Sequence, residues 1–465
     1  MIQVRCLFHH IFLILILVFL VAKASFALNP YSSQELDELE KEFVQLINQS
    51  DSVERNPLAT EYINHLGQEL ARSVNMHSPY FFIVKSNEIN AFAGPGGYIG
   101  INTQLILTTA NENELAAVMA HELSHVKLHH LYQMVQHDKQ MRIPMLASIL
   151  ASAALGVINP TLASGALMAS LTGFAQDNIN LTRAHEKESD RIGIAMLTRA
   201  GFDPRGMVSF FKKMQENSRY YYTANIPAIL RTHPLDEDRI AEAENRIHQT
   251  KGKIYPEHLT YALFKELIRT EVNTNNQQLN ENYRKICAKI PTPACQYGQA
   301  LAFIRNNQPK LAENLLEPLL KQDPENAFYQ IAMAQAELNN QKSEKGLERL
   351  RAFYANNPDR YAILMAYANA LLSTGKTQQA AALLLKGSRH FKNDLLVCET
   401  LAQAQAAANQ KGYAYLTQSQ CYLLQGRQRD AMRHLKQAKL LVKGDKYLLA
   451  RVNAMIAEVK FMLEV

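Results

Sequence analysis

The chain has 465 residues, 47% of them hydrophobic and 20% charged, which excludes both a disordered tail and a multi-span membrane protein. Its length exceeds one ordinary core and predicts about three domains, or two with accessory segments. The 49 basic and 43 acidic residues leave a formal charge of +6 spread along the chain, so no nucleic acid is expected, and five cysteines are too few for a disulfide-built scaffold.

Residues 1–27 read as a secretory signal. Arg5 gives a positive start and residues 11–22 form an unbroken apolar run, short of the roughly 20 residues a bilayer span needs. Small-residue sites follow at Ala22-Lys23-Ala24 and Ser25-Phe26-Ala27, and cleavage is expected after Ala27. An uncleaved anchor is the alternative. Residues 33–46 alternate acids and apolars with helical spacing, 80–84 and 98–101 have strand composition, and Gly94-Pro95-Gly96-Gly97 reads as the turn between them.

The chemistry concentrates in residues 111–130. Asn111 with Glu114 three positions on is a helix-capping signature, and Leu115, Val118, Met119, Leu123 and Val126 form an apolar stripe. On that helix lies His121-Glu122-Leu123-Ser124-His125. Residues four apart share a helix face, so both imidazoles can reach one metal ion with Glu122 beside them to handle a proton. A polar surface turn with unrelated histidines is the competing reading. His129 and His130 are read as solvated or structural.

From Arg142 to Asp177 no charged residue intervenes. Each half, 145–158 and 161–175, reaches only about 21 Å as a helix against a hydrocarbon core of about 30 Å. Two small-residue helices packed on the domain that carries the motif helix are expected, with a face for peripheral membrane or partner contact through 143–175; an inserted hairpin is the alternative. Beyond them, Glu186 and Asp190 are four apart on a helical stretch. Glu186 is the expected third ligand, and Asp190 the acceptor that fixes the tautomer of a ligating histidine. Glu188 faces elsewhere, and His185 is a rival ligand.

Residues 273–282 turn polar and read as a linker or domain boundary. Thereafter the chain is helical and repeats every 34 residues, from Asp323-Pro324 to Asn357-Pro358 to Lys392-Asn393-Asp394. In that register Ala334 matches Ala368, Gly346 matches Ala380 and Leu350 matches Leu384. The period resembles the tetratricopeptide repeat, with each proline expected in a first helical turn. Residues 291–323 read as a degenerate preceding unit, 395–441 as one or two more, and a capping helix runs to Glu464. Stacked repeats form a concave binding surface. Once Cys6 leaves with the signal, four cysteines remain. Adjacency pairs Cys287 with Cys295 and Cys398 with Cys421, one of three connectivities, against the alternative of unpaired core residues.

The His-Glu-x-x-His motif, the later Glu186-x-x-x-Asp190 and the stretch 90–97 before the catalytic helix resemble the gluzincin metallopeptidases related to the CAAX prenyl endopeptidase and the bacterial heat-shock endopeptidase. The resemblance implies an α+β, mostly helical fold: a gluzincin-type zinc peptidase domain with a small sheet over 28–272, then an all-α tetratricopeptide-repeat solenoid over 283–465. It implies one Zn2+ per chain on His121, His125 and Glu186, with Glu122 as the catalytic carboxylate. It also points to His233, in Arg231-Thr232-His233-Pro234-Leu235, as a loop histidine that takes the open metal position and holds the enzyme latent. Three protein ligands leave a fourth position for water, which Glu122 deprotonates for attack on a peptide carbonyl. An edge strand at Tyr98, Ile99 and Gly100 is expected to bind extended substrate by strand addition, with a central strand as the duller possibility. With the signal and the repeats, the resemblance implies a periplasmic enzyme near the outer membrane. Its expected partners are misfolded or stalled β-barrel proteins and their assembly machinery, held by the repeats. A chaperone or scaffold with idle proteolysis is the alternative from another class.

Overall fold

A computed structural model describes residues 33–77, 79–137, 176–220, 227–248 and 258–464. The expected signal at 1–27 and the uncharged segment 143–175 lie outside the described residues. Helix α1 (Ser33–Gln49) buries Phe43 and Ile47 against one face of a four-stranded sheet. Strand β1 (Val53–Glu54) leads into α2 (Pro57–Arg72). The Asn56 side chain starts that helix by accepting from the backbone N–H groups of Leu58 and Ala59, and Pro57 occupies a position where its missing N–H costs nothing. Strands β2 (Phe81–Val84), β3 (Ala91–Ala93) and β4 (Ile99–Asn102) complete the sheet in the order β1-β2-β4-β3. Side chains alternate as a strand requires: Phe82 and Val84 face α1, while Phe81 and Ile83 enter the main core. Between β3 and β4, Gly96 and Gly97 have φ of 69° and 81°, a region that side chains resist.

The sheet order corrects one expectation. Tyr98-Ile99-Gly100 is not on an edge, because β4 pairs in parallel with β2 and antiparallel with β3. The physical reason is at Gly100. Its partners are Phe82 and Phe92, and both rings lie where a side chain on Gly100 would stand. Only a residue without a side chain fits between two strands that both present aromatics there. Among the described residues the strand beyond it, β3, is the outer one on this side.

Helices α3 (Thr103–Thr108), α4 (Glu112–Lys127) and α5 (His130–His137) follow. Then come α6 (Gln176–Ala200), α7 (Arg205–Tyr220), α8 (Ala228–Thr232), α9 (Glu237–His248) and α10 (Leu259–Glu271). The Asn111 side chain accepts from Glu114 N–H and starts α4, which is buried continuously from Glu114 to Ser124. It packs against α6, α7, α2 and β3, so the polar residues it carries sit in the middle of the domain.

Within the polar stretch expected as a linker or domain boundary, residues 276–282 are the start of a helix. Asn275 caps α11 (Asn276–Lys289), and Leu279, Tyr283 and Cys287, four apart, form its buried stripe. One apolar residue per turn suffices there because Tyr283 fills the space beside Gly298, and its hydroxyl donates to Glu266 Oε2 at 2.6 Å.

The repeats are helix pairs. The first members, α12 (Pro293–Arg305), α14 (Ala327–Asn339), α16 (Tyr361–Ser373) and α18 (Leu395–Ala407), start 34 residues apart. So do the second members, α13 (Pro309–Gln322), α15 (Ser343–Asn356), α17 (Thr377–His390) and α19 (Lys411–Leu424). A last pair, α20 (Gln428–Leu441) and α21 (Lys446–Glu464), closes the solenoid. Pro324 and Pro358 do not enter the helices as expected. They occupy turns closed by Asn326 N–H to Asp323 O and Arg360 N–H to Asn357 O, where a fixed φ is useful. The register residues pack as small residues should: Ala334 and Ala368 are fully buried, and a Cβ on Gly346 would lie 3.0 Å from the Ala334 carbonyl oxygen. Disulfides join Cys287 to Cys295 and Cys398 to Cys421.

The peptidase and repeat regions share one continuous core, from Ile63, Leu115 and Phe264 through Tyr297 and Leu316 to Ile363. At their contact Glu61 accepts from Arg360 Nε and from Ala362 N–H, both at 2.9 Å. Among the described residues, no helix is long and apolar enough to cross a membrane.

Candidate metal centre

The α4 helix brings His121 and His125 to one face, and α6, packed against it, brings Glu186 over them. The turn after α8 adds His233. One ligand atom from each of the four lies within 4.8 Å of all the others. His121 Nε2 is 3.0 Å from His125 Nε2, 3.3 Å from His233 Nδ1 and 3.2 Å from Glu186 Oε2. Glu186 Oε1 is 3.4 Å from His125 Nε2 and 3.1 Å from His233 Nδ1. A tetrahedral ion with metal–nitrogen distances of about 2.0–2.1 Å separates its ligands by about 3.3 Å. These five separations, 3.0–3.4 Å with Glu186 presenting both oxygens, match the edges of such a cage. Hydrogen bonding alone does not explain it, since three ring nitrogens and a carboxylate converge on one point with more lone pairs than protons to fill them. Imidazole and carboxylate are donors suited to first-row metals.

The charges favour a cation. Burial would raise the Glu186 pKa, but His233, His121 and His125 hold it well below the ordinary carboxylate range. Burial, the largest influence on His125, lowers its pKa to about 4 and leaves a neutral imidazole able to ligate. Burial also acts to lower that of His121, but Asp190 and Glu186 reverse this and raise it to about 10. The same carboxylates that would hold a proton there offer a metal ion a negative cradle. Glu122 is 1% exposed, its Oε1 makes no hydrogen bond, and His233 Nε2 stands 3.4 Å from that oxygen.

The surroundings order these groups. Asp190 Oδ1 is 2.9 Å from His121 Nδ1, on the side of the ring away from the cluster. Arg239, on α9, is a residue that sequence reasoning missed. Its Nε and Nη2 donate to the two Asp190 oxygens at 2.7 and 2.8 Å, and its Nη1 donates to Pro234 O at 2.6 Å and lies 3.0 Å from Glu186 Oε2. One guanidinium thus ties both carboxylates to the loop that carries His233. Nothing in its local sequence, a charged helix start, distinguishes it from a surface arginine. His185 does not join the cluster; its ring stacks on His130 at 4.0 Å. Glu188 is half-exposed and pairs with Arg191. Tyr98, Ile99 and Gly100 are absent from the cluster. An apolar hollow lined by Val118, Met207, Phe210, Ile229 and Leu235 opens beside Glu122 and His233.

Residues 57–247 match peptidase family M48. The chain is 34% identical over 430 residues to the beta-barrel assembly-enhancing protease of Escherichia coli K12, covering 91% of this chain and 87% of that protein. It is 30% identical over 429 residues to the putative beta-barrel assembly-enhancing protease of Vibrio cholerae, covering 91% and 88% respectively. The metalloprotease LoiP of Escherichia coli is 27% identical over 161 residues, 34% of this chain and 61% of that one. A metallopeptidase match that contains every member of the cluster, together with similarity running on through the repeats, means that the chain belongs to peptidase family M48 and, within it, to the beta-barrel assembly-enhancing proteases.

Proposed function

We propose that this metallopeptidase is a periplasmic zinc endopeptidase acting in the quality control and assembly of outer-membrane β-barrel proteins. The observation that carries the reading is the four-atom cluster at tetrahedral spacing, with a buried carboxylate, Glu122, beside it. His121, His125 and Glu186 are the groups that would hold one zinc ion. Bound zinc supplies Lewis acidity, which polarises a carbonyl and brings the acidity of water near neutrality. Glu122 accepts the proton of the attacking water on its carboxylate and returns it to the leaving amine. Asp190 holds the His121 ring in the tautomer that presents Nε2 to the metal. Residues 28–272 supply the chemistry, and 283–465 hold misfolded or stalled barrel proteins and their assembly machinery.

A second reading, a holding protein whose proteolysis rests latent, is favoured by His233. Its Nδ1 takes the fourth corner of the cluster and its Nε2 faces Glu122, so both groups needed for water attack are engaged by one ring. The test compares Glu122→Gln and His233→Ala with the wild type on an unfolded barrel substrate. The proposal expects Glu122→Gln to keep its zinc and lose cleavage by about 10²–10⁴-fold, and His233→Ala to cleave faster. Cleavage by Glu122→Gln at the wild-type rate would refute it. Barrel assembly restored fully by Glu122→Gln would select the second reading.

A further inference from the structure

The two histidines of α4 are backed by different chemistry. His121 has a carboxylate behind its ring. Behind His125 stands another imidazole: His130 Nδ1 is 3.0 Å from His125 Nδ1. His130 is 2% exposed. It arrives there because the chain leaves α4 through His129, whose φ of 56° turns the backbone sharply. Its ring is fixed on its flat side by His185, stacked at 4.0 Å with 13° between the planes.

We infer that His130 is the positioning residue for His125: its Nδ1 accepts the Nδ1 proton of His125 and so commits His125 Nε2, as a bare lone pair, to the metal. This rests on the metal-site reading above. The argument is one of proton placement. His125 Nε2 faces Glu186 and His121, so in a metal-binding tautomer its proton must sit on Nδ1. Among the described residues His130 Nδ1 is the group that meets that proton, so His130 must accept and carry its own proton on Nε2, which lies 3.8 Å from Glu188 Oε2. Ser189 Oγ lies 3.4 Å from the same His130 nitrogen, farther than His125 Nδ1. A neutral imidazole is a weaker acceptor than the carboxylate behind His121. It orients the ring while adding less negative charge to the ligand, so the two ligating histidines differ in donor strength.

The test uses the full chain and zinc itself. His130→Phe keeps a flat ring to stack on His185 but removes the acceptor; His130→Asn offers an acceptor near the lost nitrogen. Zinc affinity is measured by chelator competition, with the melting temperature of the zinc-free protein recorded for each variant. The expected result is a 10–100-fold weaker zinc affinity for His130→Phe, an unchanged zinc-free melting temperature, and recovery of most of the affinity in His130→Asn. If the zinc-free His130→Phe melts earlier, the rise in melting temperature on adding zinc decides: lost orientation shrinks that rise, whereas packing damage lowers both values and preserves it. Wild-type affinity in His130→Phe, or a preserved rise, overturns the inference while leaving the metal site standing. Wild-type affinity in His125→Ala would instead sink the metal-site reading.

Discussion

The peptidase and repeat regions are stabilised in opposite ways. In the peptidase region, polar side chains are buried in the middle of the core and several lie against one another: Arg239 against Asp190, Glu186 and the Pro234 carbonyl, His121 against Asp190, His125 against His130. In the repeats, the core is alanine and leucine at a fixed period, and buried polar side chains are few, such as Glu337 and Gln405. The lesson is that function here is concentrated where burial of charge is expensive. A single replacement near the cluster should have consequences out of proportion to its size, whereas a replacement in the solenoid should be felt mainly by its neighbours.

Replacing Arg239 tests this most severely. Arg239→Met removes the cation from two buried carboxylates, and breaking such a pair costs about 3–5 kcal/mol. Urea unfolding of the metal-free protein should show that loss, and zinc should restore part of it by supplying a replacement positive charge. A loss under about 1 kcal/mol would mean the network is not what holds the two carboxylates. Leu350 offers the contrasting case. It is 1% exposed in the second helix of its repeat, and Leu350→Ala should cost about 2–5 kcal/mol while leaving zinc affinity unchanged. A change in zinc affinity would erase the distinction between the regions.

The smallest effect concerns the exception within the repeats. Glu337 is fully buried; burial raises its pKa, but Arg349 and Lys345 reverse this and hold it below 4.5. A carboxyl whose folded pKa is depressed stabilises the protein above its unfolded pKa, and that contribution disappears as pH falls through the folded value. Stability should therefore decline on acidification below about pH 4.5, and Glu337→Gln should flatten that part of the curve. An identical acid limb in both proteins would exclude the pair as its cause.

Much of the architecture was legible because it is periodic. The four-residue step of His121 and His125, and of Glu186 and Asp190, reports a helix face, and a 34-residue step reports stacked helix pairs whose starts fall where the period places them. What escaped was tertiary. Strand order is not written in a strand, so β4 read as an edge although Gly100 sits between two aromatic-bearing neighbours. The stretch 273–282 read as a linker or domain boundary because the first turns of that helix, with one buried residue per turn, look polar by composition. Arg239 and His130 gave no signal, since what marks them is burial beside charges and rings from distant helices. His130 did stand near the motif, five residues beyond His125, but it is the reversal at His129 that turns it inward.

The central claim is that His121, His125 and Glu186 jointly grip one ion. The most direct measurement is the zinc content of the purified wild-type protein and of Glu186→Gln after exhaustive dialysis, both confirmed folded by circular dichroism. The account predicts one zinc per wild-type chain and almost none in the variant. Equal zinc in the two, or none in the wild type at saturating zinc, would contradict it.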